Sequence, residues 1–193
     1  MITRGNEVIV ILTKKVVTKD LPEFQKIKEL YFQAFPAEER VPWSWLYHQS
    51  KKQFIEFIAF YDQDEFVGIA YNVTQKDLTY IFYLAVDPQI RGSGYGGKIL
   101  ADLAKMYQGQ RFCLSAEAPD SEADNNETRL RRIAFYQRNG FELSHKTALE
   151  KGVKYTMMHR NGNFENAEYQ KIIAYFAGFF KFIFKVEFID ENK

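Results

Sequence analysis

The sequence predicts a mixed α/β domain: a mostly antiparallel sheet with one central parallel strand pair. Three observations carry that reading. The apolar runs Phe54–Phe60, Phe66–Val73 and Leu78–Val86 are joined by short polar turns, the pattern of an antiparallel meander. A glycine-rich junction, Arg91 to Gly97, then leads into a segment, Ile99 to Tyr107, whose apolar residues recur at helical spacing. The next strand-like run, Arg111 to Ala116, is therefore reached by a helical crossover, which makes it parallel to Leu78–Val86.

The remaining elements follow in chain order. Glu7 to Val17 reads as one strand or a hairpin. Thr18-Lys19-Asp20 offers a helix cap, with Pro22 suited to the first turn. Leu21, Phe24, Ile27, Leu30, Tyr31 and Ala34 mark that helix up to Phe35-Pro36. Pro42 opens a short aromatic helix with Trp43, Trp45, Leu46 and Tyr47. Asp62-Gln63-Asp64-Glu65 is a hairpin turn, and Gly109 stops the crossover helix. After the polar loop Pro119–Asn126, Asp124-Asn125-Asn126-Glu127 suggests a capping box. Leu130, Ile133, Ala134 and Gln137 define the face of the helix that follows, which Asn139-Gly140 ends. Phe141–His145 and Val153–His159 close the sheet as a hairpin.

At 193 residues, one main domain is the expectation. Twenty-six basic residues against twenty-five acidic leave no global field, which argues against charge-driven nucleic-acid binding. One cysteine, Cys113, excludes an intrachain disulfide, and its place in an apolar strand predicts a buried, inert thiol. His48, His145 and His159 show no metal spacing, so no metal is expected. Lys14 and Lys15 interrupt the first apolar run too early for a secretion signal, so a cytoplasmic location is expected.

The most informative stretch runs from Val86 to Lys98. Its glycines let backbone N–H groups converge, and the following helix points unpaired amides and its positive dipole end into the same space, so an anion cradle is expected. Gly92-Ser93-Gly94-Tyr95-Gly96-Gly97 satisfies the dinucleotide pattern, and Gly92 to Lys98 satisfies most of a P-loop. Both fit poorly. Ile99 stands where a P-loop needs Ser or Thr, and a dinucleotide fold starts its glycines at the strand end, without Asp87-Pro88-Gln89-Ile90-Arg91 between. A coenzyme A pyrophosphate site uses those intervening residues instead.

Gln89-Ile90-Arg91-Gly92-Ser93-Gly94, preceded by Val86-Asp87-Pro88, resembles the signature of the GNAT superfamily of acyl-CoA-dependent N-acyltransferases. A second motif of that family, an aromatic-Tyr pair followed by Gly-Phe, is similar to Phe135-Tyr136-Gln137-Arg138-Asn139-Gly140-Phe141. The resemblance covers Val8 to Arg160 as a pattern of elements and is sharp from Leu78 to Phe141. It implies a GNAT-like twisted sheet with helices on both faces, and acetyl-CoA as cosubstrate, bound by the backbone of Leu84, Ala85 and Val86 and by Gln89, Arg91, Gly92, Ser93, Gly94, Tyr95, Gly96 and Gly97. It also implies Tyr136 as the acid that protonates the leaving thiolate. Glu117, at the end of its strand, sits where family members often carry a carboxylate that deprotonates the amine through water, although a solvated strand-end glutamate reads equally well. Arg129 stands where the family often has an asparagine on the pantetheine arm.

N-acyl transfer makes three demands that match these parts. The amine must shed a proton, because a lysine-like ammonium has a pKa of ~10.4 and only the free amine attacks. The thioester oxygen needs preplaced donors, and the departing thiolate needs an acid. Glu38 and Glu39, with Trp43, Trp45 and Tyr47, mark the region where the family commonly binds its acceptor; as bare residues they read more simply as a surface turn and core aromatics.

Residues 1–162 are thus expected to form the acyltransferase domain, and residues 163–193 an amphipathic helical extension. Tyr169, Ile172, Ile173, Phe176, Phe180, Ile183 and Phe184 form the helical stripe of that extension, widened by Tyr175, Phe179, Phe182 and Phe188. Interrupted by Lys181, it is too short for the ~20 residues of a membrane span. Its width suggests packing on its own domain and on the partner of a homodimer. The expected function is direct acetyl transfer from acetyl-CoA to an amine of a small molecule, peptide or protein, in a ternary complex. The competing class is a non-catalytic coenzyme A-binding regulatory module on the same fold.

Overall fold

The computed structural model describes residues 3–4, 7–8, 11–150, 152–178 and 186–190. Strands β1 (Thr3–Arg4) and β2 (Glu7–Val8) pair as a small antiparallel ladder. The other eight strands form one sheet: β3 (Thr13–Val16), β4 (Ile55–Asp62), β5 (Glu65–Gln75), β6 (Leu78–Val86), β7 (Arg111–Glu117), β8 (Glu142–Glu150), β9 (Val153–Arg160) and β10 (Glu187–Asp190). Its order is β10-β8-β9-β7-β6-β5-β4-β3. The pair β6/β7 is parallel, as the helical crossover requires, while β3/β4, β7/β9, β8/β9 and β8/β10 are antiparallel. The helices are α1 (Phe24–Ala34), α2 (Trp43–Gln49), α3 (Tyr95–Met106), α4 (Asn126–Arg138) and α5 (Asn166–Ala177).

The chain divides into two compact units, residues 1–72 with 83–108, and residues 73–82 with 109–193. In the first, α1 buries Ile27, Leu30 and Tyr31, and Trp43 from α2 packs edge-on against Phe24 and Phe57. Tyr47 packs on Phe24 in the same way, so Trp43 and Tyr47 belong to the aromatic core, and Glu38 is exposed. Tyr31 ties α1 to the following loop: its hydroxyl accepts from the Val41 N–H and donates to the Val41 carbonyl, both at 2.9 Å. The turns at Gln63 and Lys76 reverse the chain with positive φ, 55° and 56°, without a glycine.

Two helix starts, those of α1 and α4, lack the caps that the sequence suggests. Thr18–Asp20 forms a turn, and α1 begins only at Phe24, after Glu23, with no side-chain cap. At α4 no capping box forms either. Asn125 and Asn126 are drawn elsewhere: Asn126 accepts from the Asp120 N–H (2.9 Å) and Asn125 donates to Glu117 (3.3 Å). Short polar side chains serve turns and caps alike, and the loop partners win here.

In the second unit, Arg111 fastens α5 to the sheet. Its Nε and Nη2 donate to Asp77 (2.7 and 2.9 Å), Nη2 and Nη1 to Glu168 (2.8 and 3.2 Å), and Nη1 to the Asn163 carbonyl (2.8 Å). Glu165 and Glu168 form a reciprocal capping box at the start of that helix. Cys113 lies buried in β7 as expected, and burial pushes its thiol far above the ordinary range, which disfavours the thiolate. Phe188 lies on β10, opposite Ala148 of β8, rather than on a helical stripe. The expected stripe residues 179–185 lie outside the described residues.

Arg111 hydrogen-bonds Glu168 and holds that carboxyl below its usual value. Its contribution to stability is therefore present above the unfolded value of about 4.3 and is lost as the pH falls through the folded value. Arg111→Gln should flatten the acid limb of a stability–pH curve and raise hydrogen exchange in α5. An acid limb and exchange pattern matching the parent would refute this role.

Candidate active site

Asp87 shapes the chain where β6 ends. Its carboxylate accepts from the Gln89 N–H (3.0 Å), starting the short 3-10 turn Pro88–Ile90, and pairs with Lys26 at 2.7 Å while itself nearly buried. Upstream, the Asp87 N–H donates to the Val67 carbonyl (3.0 Å), binding the end of β6 to β5. Gly68 allows that approach: a Cβ there would lie 2.4 Å from the Ala85 carbonyl oxygen and 3.2 Å from the Val86 Cα. On β6, Ala85 is buried while Leu84 and Val86 are half-exposed, so these two are not the closed core that their apolar character suggests. Gly68→Ala should push β6 aside, lower stability by roughly 1–3 kcal/mol and weaken acetyl-CoA binding. Urea unfolding and calorimetry check this; parent-like values in both would refute it.

The glycine loop follows. Arg91, Gly92, Ser93 and Gly94 are exposed, and Gly92 and Gly94 adopt φ of 85° and 79°. No atom lies within 4 Å of a Cβ built at either glycine, so the left-handed backbone, not crowding, demands them. Gly94 caps α3, which starts at Tyr95 rather than near Ile99, so Gly96 and Gly97 belong to its first turn. Lys98 closes the first helical hydrogen bond, onto the Gly94 carbonyl (3.2 Å). The N–H groups of Tyr95, Gly96 and Gly97 thus stand at an open helix start carrying the positive end of the dipole. That donor set fits a pyrophosphate. Tyr95 donates to Asp62 (2.7 Å), which anchors this turn to β4 and raises the phenol's pKa.

In the second unit, the β6/β7 register runs Leu78↔Arg111, Thr79↔Phe112 and Tyr80↔Cys113 and ends there, although both strands continue. Glu117 closes β7. Its Oε2 accepts from Asn125 Nδ2 (3.3 Å) and pairs with Arg129 Nε (3.4 Å), with both ionic side chains largely buried. Arg129 also donates to Asn125 Oδ1 (2.8 Å) and the Ala118 carbonyl (3.0 Å). The arginine at the family's asparagine position is therefore committed to holding Glu117. Those contacts turn α4 away from the face its apolar residues suggest: Ile133 is buried, Tyr136 is half-buried, and Leu130 is 49% exposed.

Tyr136 is fixed by the way α4 ends. The Phe141 N–H returns to the Tyr136 carbonyl (3.1 Å) and the Gly140 N–H to the Gln137 carbonyl (3.0 Å), with Gly140 at φ 82°. This Schellman ending needs a residue at ease with positive φ and brings the apolar residue after it back onto the helix. Phe141 accordingly packs edge-on against Tyr136 (5.8 Å between centroids), and Phe135 also meets that ring edge-on (5.2 Å). The glycine and phenylalanine of the second motif thus have a structural job, which is to aim the tyrosine.

Residues 53–143 match a family model described as an acetyltransferase (GNAT) domain. Among solved structures, a putative GNAT-family acetyltransferase from Bacteroides thetaiotaomicron superposes with a TM-score of 0.70 at 22% identity, covering 90% of this chain and 99% of its own. The ribosomal-protein-S18-alanine N-acetyltransferase from Escherichia coli follows at TM-score 0.58 and 18% identity, over 81% of this chain and 97% of its own. A GNAT-family acetyltransferase from Elizabethkingia anophelis with acetyl-CoA bound superposes at 0.54 and 17% identity, over 77% and 97%. No curated protein matches the sequence. Among the described residues, no helix is long and apolar enough to cross a membrane.

Proposed function

From the match of residues 53–143 to a GNAT acetyltransferase domain and the fold that the chain shares with such enzymes, we propose that this protein transfers an acetyl group from acetyl-CoA directly to an amine. The observation that carries the reading is the glycine cradle: two left-handed glycines deliver three successive N–H groups of an open helix start, preceded by the turn that Asp87 holds. Gln89 and Arg91 add a donor and a charge at its lip. The half-exposed strand end, Leu84 to Val86, offers backbone groups to the pantetheine arm and the thioester oxygen.

Two side chains then handle protons. Tyr136, aimed by Phe135 and Phe141, donates to the departing thiolate. Glu117 accepts the proton of the incoming ammonium through a water. Both of its protein contacts fall on Oε2, so Oε1 is the oxygen assigned to that water. Arg129 and Asn125 keep the carboxylate in place. Thiol release should be measured with acetyl-CoA and a panel of an aminoglycoside, a polyamine, a peptide with a free N-terminus and a lysine-containing peptide. Saturable, amine-dependent release is expected. Binding of coenzyme A with no release on any amine would favour the regulatory module instead.

A further inference from the structure

The nitrogen must give up two protons, one to become a free amine and one as the C–N bond forms. Tyr136 returns one to sulfur, and one is released in net. Glu117 accounts for the first loss, so the second needs its own acceptor, and this inference rests on the acyl-transfer reading above.

The second unit contains a chain of hydroxyls that ends on a carboxylate. Ser115 lies two residues past Cys113, where the β6/β7 ladder ends, and is half-buried on the same face of β7. Its Oγ is 2.7 Å from the Tyr80 hydroxyl. Tyr169 of α5 lies against Tyr80, the two rings meeting edge-on at 5.1 Å between centroids. Tyr169 in turn donates to Glu150 Oε1 at 3.0 Å. Both tyrosines are buried.

Hydrogen counting gives the chain a direction. A hydroxyl has one hydrogen, and an ionised carboxylate only accepts. Tyr169 spends its hydrogen on Glu150, so toward Tyr80 its oxygen can only accept. Tyr80 then accepts from Ser115, whose oxygen keeps its lone pairs for an incoming proton. We propose that Ser115 takes the second proton from the nitrogen as the C–N bond forms, and that Tyr80 and Tyr169 relay it to Glu150. The C–N bond forms, an N–H bond breaks, each hydroxyl gains one proton as it gives one up, and Glu150 ends protonated until solvent takes the proton away. Burial pushes both phenols well above the ordinary tyrosine value, so neither is a resident base. Ser115 is the catalytic residue of the set; Tyr80, Tyr169 and Glu150 act through it.

Glu150→Gln tests the relay without removing it, because the amide oxygen still accepts from Tyr169 but takes up no proton. With acetyl-CoA and the fastest amine of the panel above, kcat should fall ~10–100-fold, with the acetyl-CoA KM unchanged. Where no amine of the panel turns over, slow hydrolysis of acetyl-CoA is the assay. The rate against D2O fraction should be curved in the parent, as for several protons in flight, and linear in the variant. Ser115→Ala should behave alike, and Ser115→Thr should restore the rate. An active parent with Glu150→Gln and Ser115→Ala at parental kcat and curvature overturns the relay alone. A parent with neither transfer nor hydrolysis overturns the acyl-transfer reading and the relay with it.

Discussion

Replacing Tyr136 with phenylalanine is expected to lower kcat by ~10²–10⁴-fold while leaving the acetyl-CoA Kd within about twofold. The substitution keeps the ring that Phe135 and Phe141 clamp and the Schellman ending that orients it, so the fold should not change. Only the proton donor disappears. Without it the thiolate leaves unprotonated, a cost felt in the transition state and not in the bound ground state. Steady-state thiol release together with calorimetry separates the two effects. An unchanged kcat would show that the phenol packs and does nothing more. A fall in affinity equal to the fall in rate would place it in binding.

Acetyl-CoA at about one hundred times its Kd is expected to stabilise the protein by ~2.7 kcal/mol, a rise in Tm of about 5–10 °C for a chain of this size. NAD and ATP at the same concentration should give no comparable rise. Gly94→Val should abolish the acetyl-CoA shift, since a β-branched residue resists φ of 79° and the cradle loses its shape. Backbone strain alone lowers the Tm of the free protein, so the ligand-induced difference is the quantity to read. Gly109→Val is the matched control: Gly109 has φ of 84° in equally open surroundings but stops α3 instead of starting it. It should lose stability and keep the shift. Equal stabilisation by NAD, or a full shift in Gly94→Val, would overturn the coenzyme A assignment.

Dimerisation through residues 163–193 stays a proposal. Within the second unit, α5 buries Tyr169, Ile172, Ile173, Phe176 and Ala177. Phe176 packs tilted on Phe82 at 4.1 Å between centroids, and Tyr169 meets Tyr80 edge-on. Much of the predicted stripe is therefore used within the chain.

What the sequence determined by itself is whatever a few neighbouring residues decide. Strand Leu78–Val86 matches its predicted bounds, the parallel partner follows from the crossover, and the glycine loop and the Tyr136 motif are local spellings of local backbone shapes. Tertiary structure decided every question of partner. Arg129 and Leu130 are adjacent, yet the arginine is held inside by Glu117 and Ala118 while the leucine faces out, an exchange that no helical wheel contains. Phe188 joins a four-residue edge strand whose existence depends on β8 beside it. The run from Ser115 through Tyr80 and Tyr169 to Glu150 uses four different elements, and each residue alone reads as an ordinary strand or helix side chain. Local pattern restricts φ and ψ and the direction of a side chain. Which atom it meets depends on segments far along the chain, and only the packed fold supplies them.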